Sequence, residues 1–183
     1  MTTIDDVTLR VIDALNACGI VYMLVGSFST NAYGIPRSTK DADFVLRLQG
    51  DFPPAFYVTL GKDFEMDPQL KFETNTGTYK QEMRFAGTPF TVELFRLSED
   101  AFDQERFRRR VAVKLLGRDT FIPTAEDVLV MKLRWFRRKD QPDLVNVMTI
   151  QRGNLDWAYI ESWCRQHGSL ARLDAIRKDV KDI

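Results

Sequence analysis

Histidine is nearly missing from this 183-residue chain, His167 being the only one. One imidazole cannot build a zinc site, and its expected place in a surface turn before Gly168 removes it from Ser–His hydrolase chemistry. Cysteine is equally scarce: Cys18 and Cys164 lie far apart with no metal-ligand spacing. They read as free thiols of a reducing compartment, both in the core. Charge of one sign is lacking too, since Lys+Arg and Asp+Glu each number 26. Net neutrality gives no global pull toward nucleic acid or membrane. No apolar run approaches membrane-spanning length, and Met1-Thr-Thr-Ile-Asp-Asp lacks the basic and apolar regions of a signal peptide. The expectation is a cytoplasmic protein with no membrane partner. Internal repeats, low-complexity tracts and linkers are absent as well. What remains is 44% hydrophobic and 28% charged, enough for one substantial core and a small C-terminal subdomain. Between Glu105 and Asp140 basic residues outnumber acidic ones, a locally cationic stretch.

Periodicity orders the chain. Thr3 with Asp6 reads as a capping box, and Ile4, Val7, Val11, Leu15 and Cys18 follow at helical spacing up to Gly19. Ile20 to Val25 is a short apolar run, a buried strand, and Ser27 to Tyr33 a short helix closed by Gly34. A second strand begins near Lys40, and a helix starts at Asp51 and Pro53-Pro54 with Phe52, Phe56, Tyr57 and Leu60 on one face. Tyr79 to Phe85 and Phe90 to Phe95 alternate with period two around the turn Ala86-Gly87-Thr88, an antiparallel hairpin. A helix near Ala101 to Arg106 and a strand near Val111 to Leu116 come next. Helices alone follow: one capped by Thr124 and running to about Arg138, one opened by Pro142, and one capped by Asp156 with Trp157, Ile160, Trp163 and Cys164 buried. The fold class is therefore α/β (α+β), a mixed β-sheet with helices packed on it, dividing at 1–122 and a helical region 123–183.

Chemistry concentrates at three places. Val25-Gly26-Ser27 carries a strand into a helix, where glycine allows close backbone approach and free N–H groups attract an anion such as phosphate. The same turn with Ser27 as an ordinary helix cap is the alternative. Asp41 and Asp43 stand at i and i+2 in a strand, so both carboxylates share a face with Cα atoms roughly 6–7 Å apart. Anions so close call for a cation, and oxygen donors suit Mg²⁺, although a solvated strand start would also tolerate them. Glu93 interrupts the apolar run Phe90-Thr-Val-Glu-Leu-Phe, on the face opposite Phe90, Val92 and Leu94. Such a charge is usually solvent-facing; beside the Asp41 strand it would complete a three-carboxylate cluster.

In this order, with thirteen residues between Ser27 and Asp41, the chain resembles the DNA polymerase β-like nucleotidyltransferase superfamily. The carrying motifs are Gly26-Ser27, Thr39-x-Asp41-x-Asp43 and the Glu93 strand. Tyr33 to Thr39 and Pro123 to Lys132, followed by Arg137, Arg138, Lys139 and Asp140, look like its small bacterial toxin-type members of abortive-infection and toxin–antitoxin systems. The resemblance covers about residues 4 to 150. It implies a nucleotidyltransferase fold and transfer of a nucleoside monophosphate from an NTP, ATP among them, to a hydroxyl of RNA, protein or a small molecule. Gly26 and Ser27 would cradle phosphates, with Arg37, Thr39 and Lys132 as further nucleotide contacts. Asp41, Asp43 and Glu93 would be catalytic and hold Mg²⁺ or Mn²⁺, two ions in all, Glu93 alternatively serving as general base. Asp140 and Asp143 flank Pro142 as helix-start acids, and Arg106 to Arg110 reads as a solvated charged face. The alternative is a catalytically silent NTP-binding regulator or antitoxin-like partner; a cognate partner protein fits either.

Overall fold

The computed structural model describes residues 2–115 and 117–180; Met1, Leu116 and 181–183 lie outside them. The chain opens with α1 (Ile4–Ala17), where Thr3 Oγ1 accepts from the Asp6 amide and the Asp6 carboxylate accepts from the Thr3 amide. That reciprocal cap starts a helix whose Val7, Val11, Ile12 and Leu15 are fully buried. Cys18, at its end, is only half-buried, whereas Cys164 is in the core.

Next come β1 (Val21–Val25), α2 (Gly26–Tyr33), β2 (Asp41–Arg47) and α3 (Pro54–Leu60). Helix α3 begins at Pro54 because a proline at the first helical position needs no amide partner. Phe52 stacks on Phe56 before it, and Tyr57, expected on the buried face, is exposed. Strands β3 (Phe64–Met66) and β4 (Lys71–Glu73) are three-residue pieces without a sequence signal of their own. The hairpin β5 (Thr78–Phe85) and β6 (Thr91–Arg96) is antiparallel, as alternation requires.

The sheet runs β1-β2-β6-β5-β3, with β4 also paired to β5. Its decisive pairing is β2 with β6, parallel, setting Asp41 beside Thr91 and Asp43 beside Glu93. On one face Tyr22, Leu24, Phe44, Leu46, Val92 and Leu94 pack beneath α1 and α3 in the main core. On the other, Met23, Val25, Val45 and Phe95 form a smaller apolar patch with Phe107 of α4 (Ala101–Arg109). Successive strand residues alternate sides, so Asp41, Asp43 and Glu93 share this second face.

Beyond α4, β7 (Val111–Leu115) and β8 (Arg118–Ile122) form a separate hairpin. Four helices close the chain: α5 (Ala125–Trp135), α6 (Asp140–Gln151), α7 (Trp157–Gln166) and α8 (Leu170–Asp179), around a second core that includes Leu129, Leu133, Leu144, Ile160 and Cys164. Helix α5 stops three residues short of the expected Arg138. Phe136 takes the left-handed conformation (φ 52°), and Arg172 stacks over its ring while donating to the carbonyls of Leu133 and Arg134. A cation therefore satisfies the helix end that would otherwise continue. Trp157 and Trp163 are half-buried at the margin of this core. His167 is no surface-turn residue; it is half-buried and in ring contact with Phe102 and Trp163.

Candidate active site

A cavity of about 430 Å³ opens over the second face of the sheet, between β2, β6 and the α5–α6 corner. Gly26 and Ser29 line one wall, Asp41, Asp43 and Glu93 the floor, and Lys80, Lys132, Arg137 and Lys139 bring cations to it.

Gly26 has φ 63°, and a Cβ added there would lie 2.0 Å from Asp43 Oδ2. Only a residue without a side chain lets the start of α2 press against that carboxylate. The helix is preceded by Val25 and has no side-chain cap, so its first amides are unclaimed by side chains. Ser27 is thus inside the helix and is not its cap; Ser29 lines the cavity instead, its hydroxyl donating to the Gly26 carbonyl at 3.0 Å. Thr39 braces the start of β2, exchanging hydrogen bonds with the Asp41 backbone, and does not line the cavity.

The floor is electrostatically strained. Burial, then the charges of Glu93 and Asp41, push the Asp43 carboxyl up from 3.8 to about 7, with Lys139 and Arg137 pulling the other way. Asp41 accepts from Thr91 Oγ1 at 2.6 Å. Glu93 is in an ion pair with Lys80, Nζ to Oε1 2.6 Å, and the same ammonium reaches Glu82 at 3.3 Å. Of the other nearby acids, Glu82 is also claimed by Lys71, and Glu73 folds back onto the amides of Asn75 and Thr76.

These donors fit Mg²⁺ in part. Asp41 and Asp43 offer hard oxygens on one face; burial raises the Asp43 carboxyl most, and the further push from Glu93 and Asp41 is the repulsion a divalent ion would relieve. Among the described residues, however, no group of three His, Cys, Asp or Glu side chains is gathered to hold an ion. Glu93 lies on the shared face but spends its charge on Lys80.

The cationic side is likewise pre-paired. Lys132 Nζ contacts Asp143 at 2.8 Å and Asp140 at 3.2 Å, both buried. Arg37 clasps Asp143 with two hydrogen bonds of 2.8 and 2.9 Å and does not line the cavity. Burial would raise the carboxyl of Asp143, yet Arg37 and Lys132 hold it below its ordinary range. Arg138 is exposed and outside the cavity lining. The run Arg106 to Arg110 is not uniformly solvated: Arg106 is buried against Asp103, and Arg109 pairs with Asp127. Sequence reading missed Lys80 and Ser29 as site residues, and named Arg137 and Lys139 only within a resembling stretch, without a role. The alternation through β5 already placed Lys80 and Glu82 together, and the hairpin register then sets them on Glu93's side.

No family model matches the chain, and no curated protein does. Solved structures do. The antibiotic-resistance factor ANT(2'')-Ia in solution aligns over 96% of this chain and 97% of that one, with 10% identity and a TM-score of 0.55. The same factor in complex with adenylyl-2''-tobramycin aligns over 90% and 98%, with 12% identity and a TM-score of 0.54. An antigenic nucleotidyltransferase-like protein from Paracoccidioides brasiliensis aligns over 95% and 89%, with 18% identity and a TM-score of 0.53. This chain has the nucleotidyltransferase fold. No described helix is long and apolar enough to cross a membrane.

Proposed function

We propose that this chain is a metal-dependent nucleotidyltransferase, moving a nucleoside monophosphate from an NTP to an acceptor hydroxyl. The observation that carries the reading is the contact of Gly26 with Asp43. It joins the amide-bearing start of a helix, which attracts phosphate, to a carboxylate in want of a cation, and a metal–polyphosphate needs both at once. Asp41 and Asp43 hold Mg²⁺ or Mn²⁺, which when bound neutralises the triphosphate and the departing pyrophosphate. The α2 amides at Gly26 and Ser27 orient the phosphates. Lys132, held by Asp140 and Asp143, presents positive charge to the cavity, and Arg37 supports it through Asp143. Glu93 accepts the proton of the acceptor hydroxyl as its oxygen bonds to the α-phosphorus and the bond to the β-phosphate oxygen breaks.

A small-molecule hydroxyl is the acceptor class favoured by the neighbour whose structure holds adenylyl-2''-tobramycin. Hydroxyls of RNA or protein, the targets of a toxin–antitoxin component with a cognate partner, are alternative products of the same assay. The second reading, an NTP-binding regulator without turnover, draws on the pairing of Glu93 with Lys80. Incubation with each labelled NTP, Mg²⁺ or Mn²⁺ and a cell-extract acceptor pool separates them. Label on RNA, protein or a metabolite that vanishes in Asp41→Ala/Asp43→Ala selects the enzyme. Saturable NTP binding with no product selects the regulator, and no metal-dependent binding ends both.

A further inference from the structure

The floor of the cavity carries three carboxylates, Asp41, Asp43 and Glu93, and one ammonium, that of Lys80. Lys80 is firmly placed. Its strand β5 lies inside the sheet, its Nζ sits 2.6 Å from Glu93 Oε1, and the ring of Phe95 supports it at 5.5 Å. Glu82 is the other acid within reach of Lys80, at 3.3 Å, and Lys71 already satisfies it. The charge of Lys80 is therefore available to Glu93. Of the cavity's cations only Lys80 is paired with one of these three acids, while Arg137 and Lys139 act on Asp43 by charge alone, so the cluster keeps an excess of negative charge that a divalent ion would offset. A second divalent ion on Glu93 would have to displace the ammonium or stand against it.

Resting on the reading of Asp41 and Asp43 as the metal pair, we infer that the site works with one divalent ion, and that Lys80 supplies the second positive charge on Glu93. Lys80 is thus a built-in cation in a place where a second metal would otherwise bind. Its ammonium fixes the Glu93 carboxylate toward the cavity and counters charge developing on the incoming oxygen. This assigns a role to a residue outside the Gly-Ser and Asp-x-Asp motifs. It also accounts for the absence of a three-acid ligand group among the described residues.

Mn²⁺ counting tests the idea without reference to turnover. Electron paramagnetic resonance of free Mn²⁺ gives ions bound per chain, measured with Mn²⁺ alone and with each α,β-methylene NTP, nucleotide-only controls subtracted. The wild type is expected to bind one ion. Lys80→Gln, which removes the ammonium from Glu93 and keeps an unbranched polar side chain, is expected to bind two, and Lys80→Arg one. Circular dichroism confirms that each variant is folded. Two ions in the wild type, or one in Lys80→Gln, overturns the role of Lys80 while leaving Asp41 and Asp43 as ligands. Should Asp43→Asn still bind Mn²⁺ as the wild type does, or the wild type bind none, the metal-pair reading fails and takes the Lys80 inference with it. In a folded Lys80→Gln protein whose second ion disappears again in Lys80→Gln/Glu93→Gln, the inference is upheld.

Discussion

Replacing Asp43 by asparagine removes a charge that burial and two neighbouring acids disfavour, so metal-free protein should gain stability from a change that destroys its proposed site. Burial and the charges of Glu93 and Asp41 raise this carboxyl from 3.8 to about 7. Between those values the folded chain keeps a proton that the unfolded chain has released. Stability contributed by this group is therefore lost as pH rises from about 4 to about 7. At roughly 1.4 kcal/mol per unit the ceiling is about 4 kcal/mol, and a half-buried carboxylate bordering a cavity falls below it. With a chain of this size, each kcal/mol is worth about 2–4 °C in Tm. The assay is denaturant unfolding of wild type and Asp43→Asn in chelator from pH 5 to 8. His167 is held below 6.5 chiefly by burial and contributes the opposite slope in part of this window. It is common to both proteins and cancels in the difference. Asp140 and Asp143, with lowered values, titrate below the window. The variant should gain on the wild type steadily up to about pH 7, and saturating Mn²⁺ should reverse the ranking by stabilising the wild type alone. Parallel pH profiles, or a variant weaker throughout, would refute the account of Asp43 as a carboxylate disfavoured by burial and by its acidic neighbours.

Gly26→Ala should cost about 1 kcal/mol or more from its left-handed backbone alone. Because the new methyl meets Asp43 Oδ2 at 2.0 Å, it should also weaken Mn²⁺–NTP binding, as read by titration calorimetry. Unchanged affinity would separate the α2 start from the metal pair. Glu93→Gln should abolish transfer while largely sparing NTP affinity, and full activity would show that another group takes the acceptor's proton. Lys132→Met leaves Asp143, 3% exposed at its side chain, and Asp140, 0% exposed, short of a cation. Breaking a buried pair on one side costs about 3–5 kcal/mol, here reduced because Arg37 and Arg137 remain, and urea unfolding measures it. A loss of NTP binding without a loss of stability would assign Lys132 to the ligand instead of the scaffold.

The legible parts of this chain are those in which local pattern and tertiary need agree. Alternation in Tyr79–Phe85 and Phe90–Phe95 specified both the hairpin and the side of the sheet to which Glu93 belongs. The Thr3–Asp6 box and the Thr124 cap marked helix starts because a side chain must satisfy those amides within three residues. Strands β3 and β4 were illegible since three residues carry no periodicity, and their place comes from pairing with β5. The end of α5 was missed because its stop signal, Arg172, lies on another helix. In the site, the two aspartates could be read from i and i+2 spacing. Ser29 and Lys80 could not be singled out, because what matters is where the register and the helix start aim them.

The C-terminal helices do more than cover the sheet. Arg37, in the segment between α2 and β2, is tied by Asp143 to Lys132, and Asp140 receives both Lys132 and Arg137. Two buried acids at the start of α6 thereby gather three cations from three stretches of chain. Acids in the first turn are favoured by the helix dipole, so this placement stabilises α6 while it fixes the cationic wall of the cavity. The opposite wall is set by Gly26 against Asp43, and the floor by the parallel pairing of β2 with β6. The distance between phosphate-attracting amides and phosphate-attracting cations is consequently governed by how α5 and α6 seat on α2. A substitution at that seat, such as at Val147, whose side chain comes within 3.1 Å of where a Cβ on Gly34 would be, should alter NTP affinity without touching any group that meets the nucleotide.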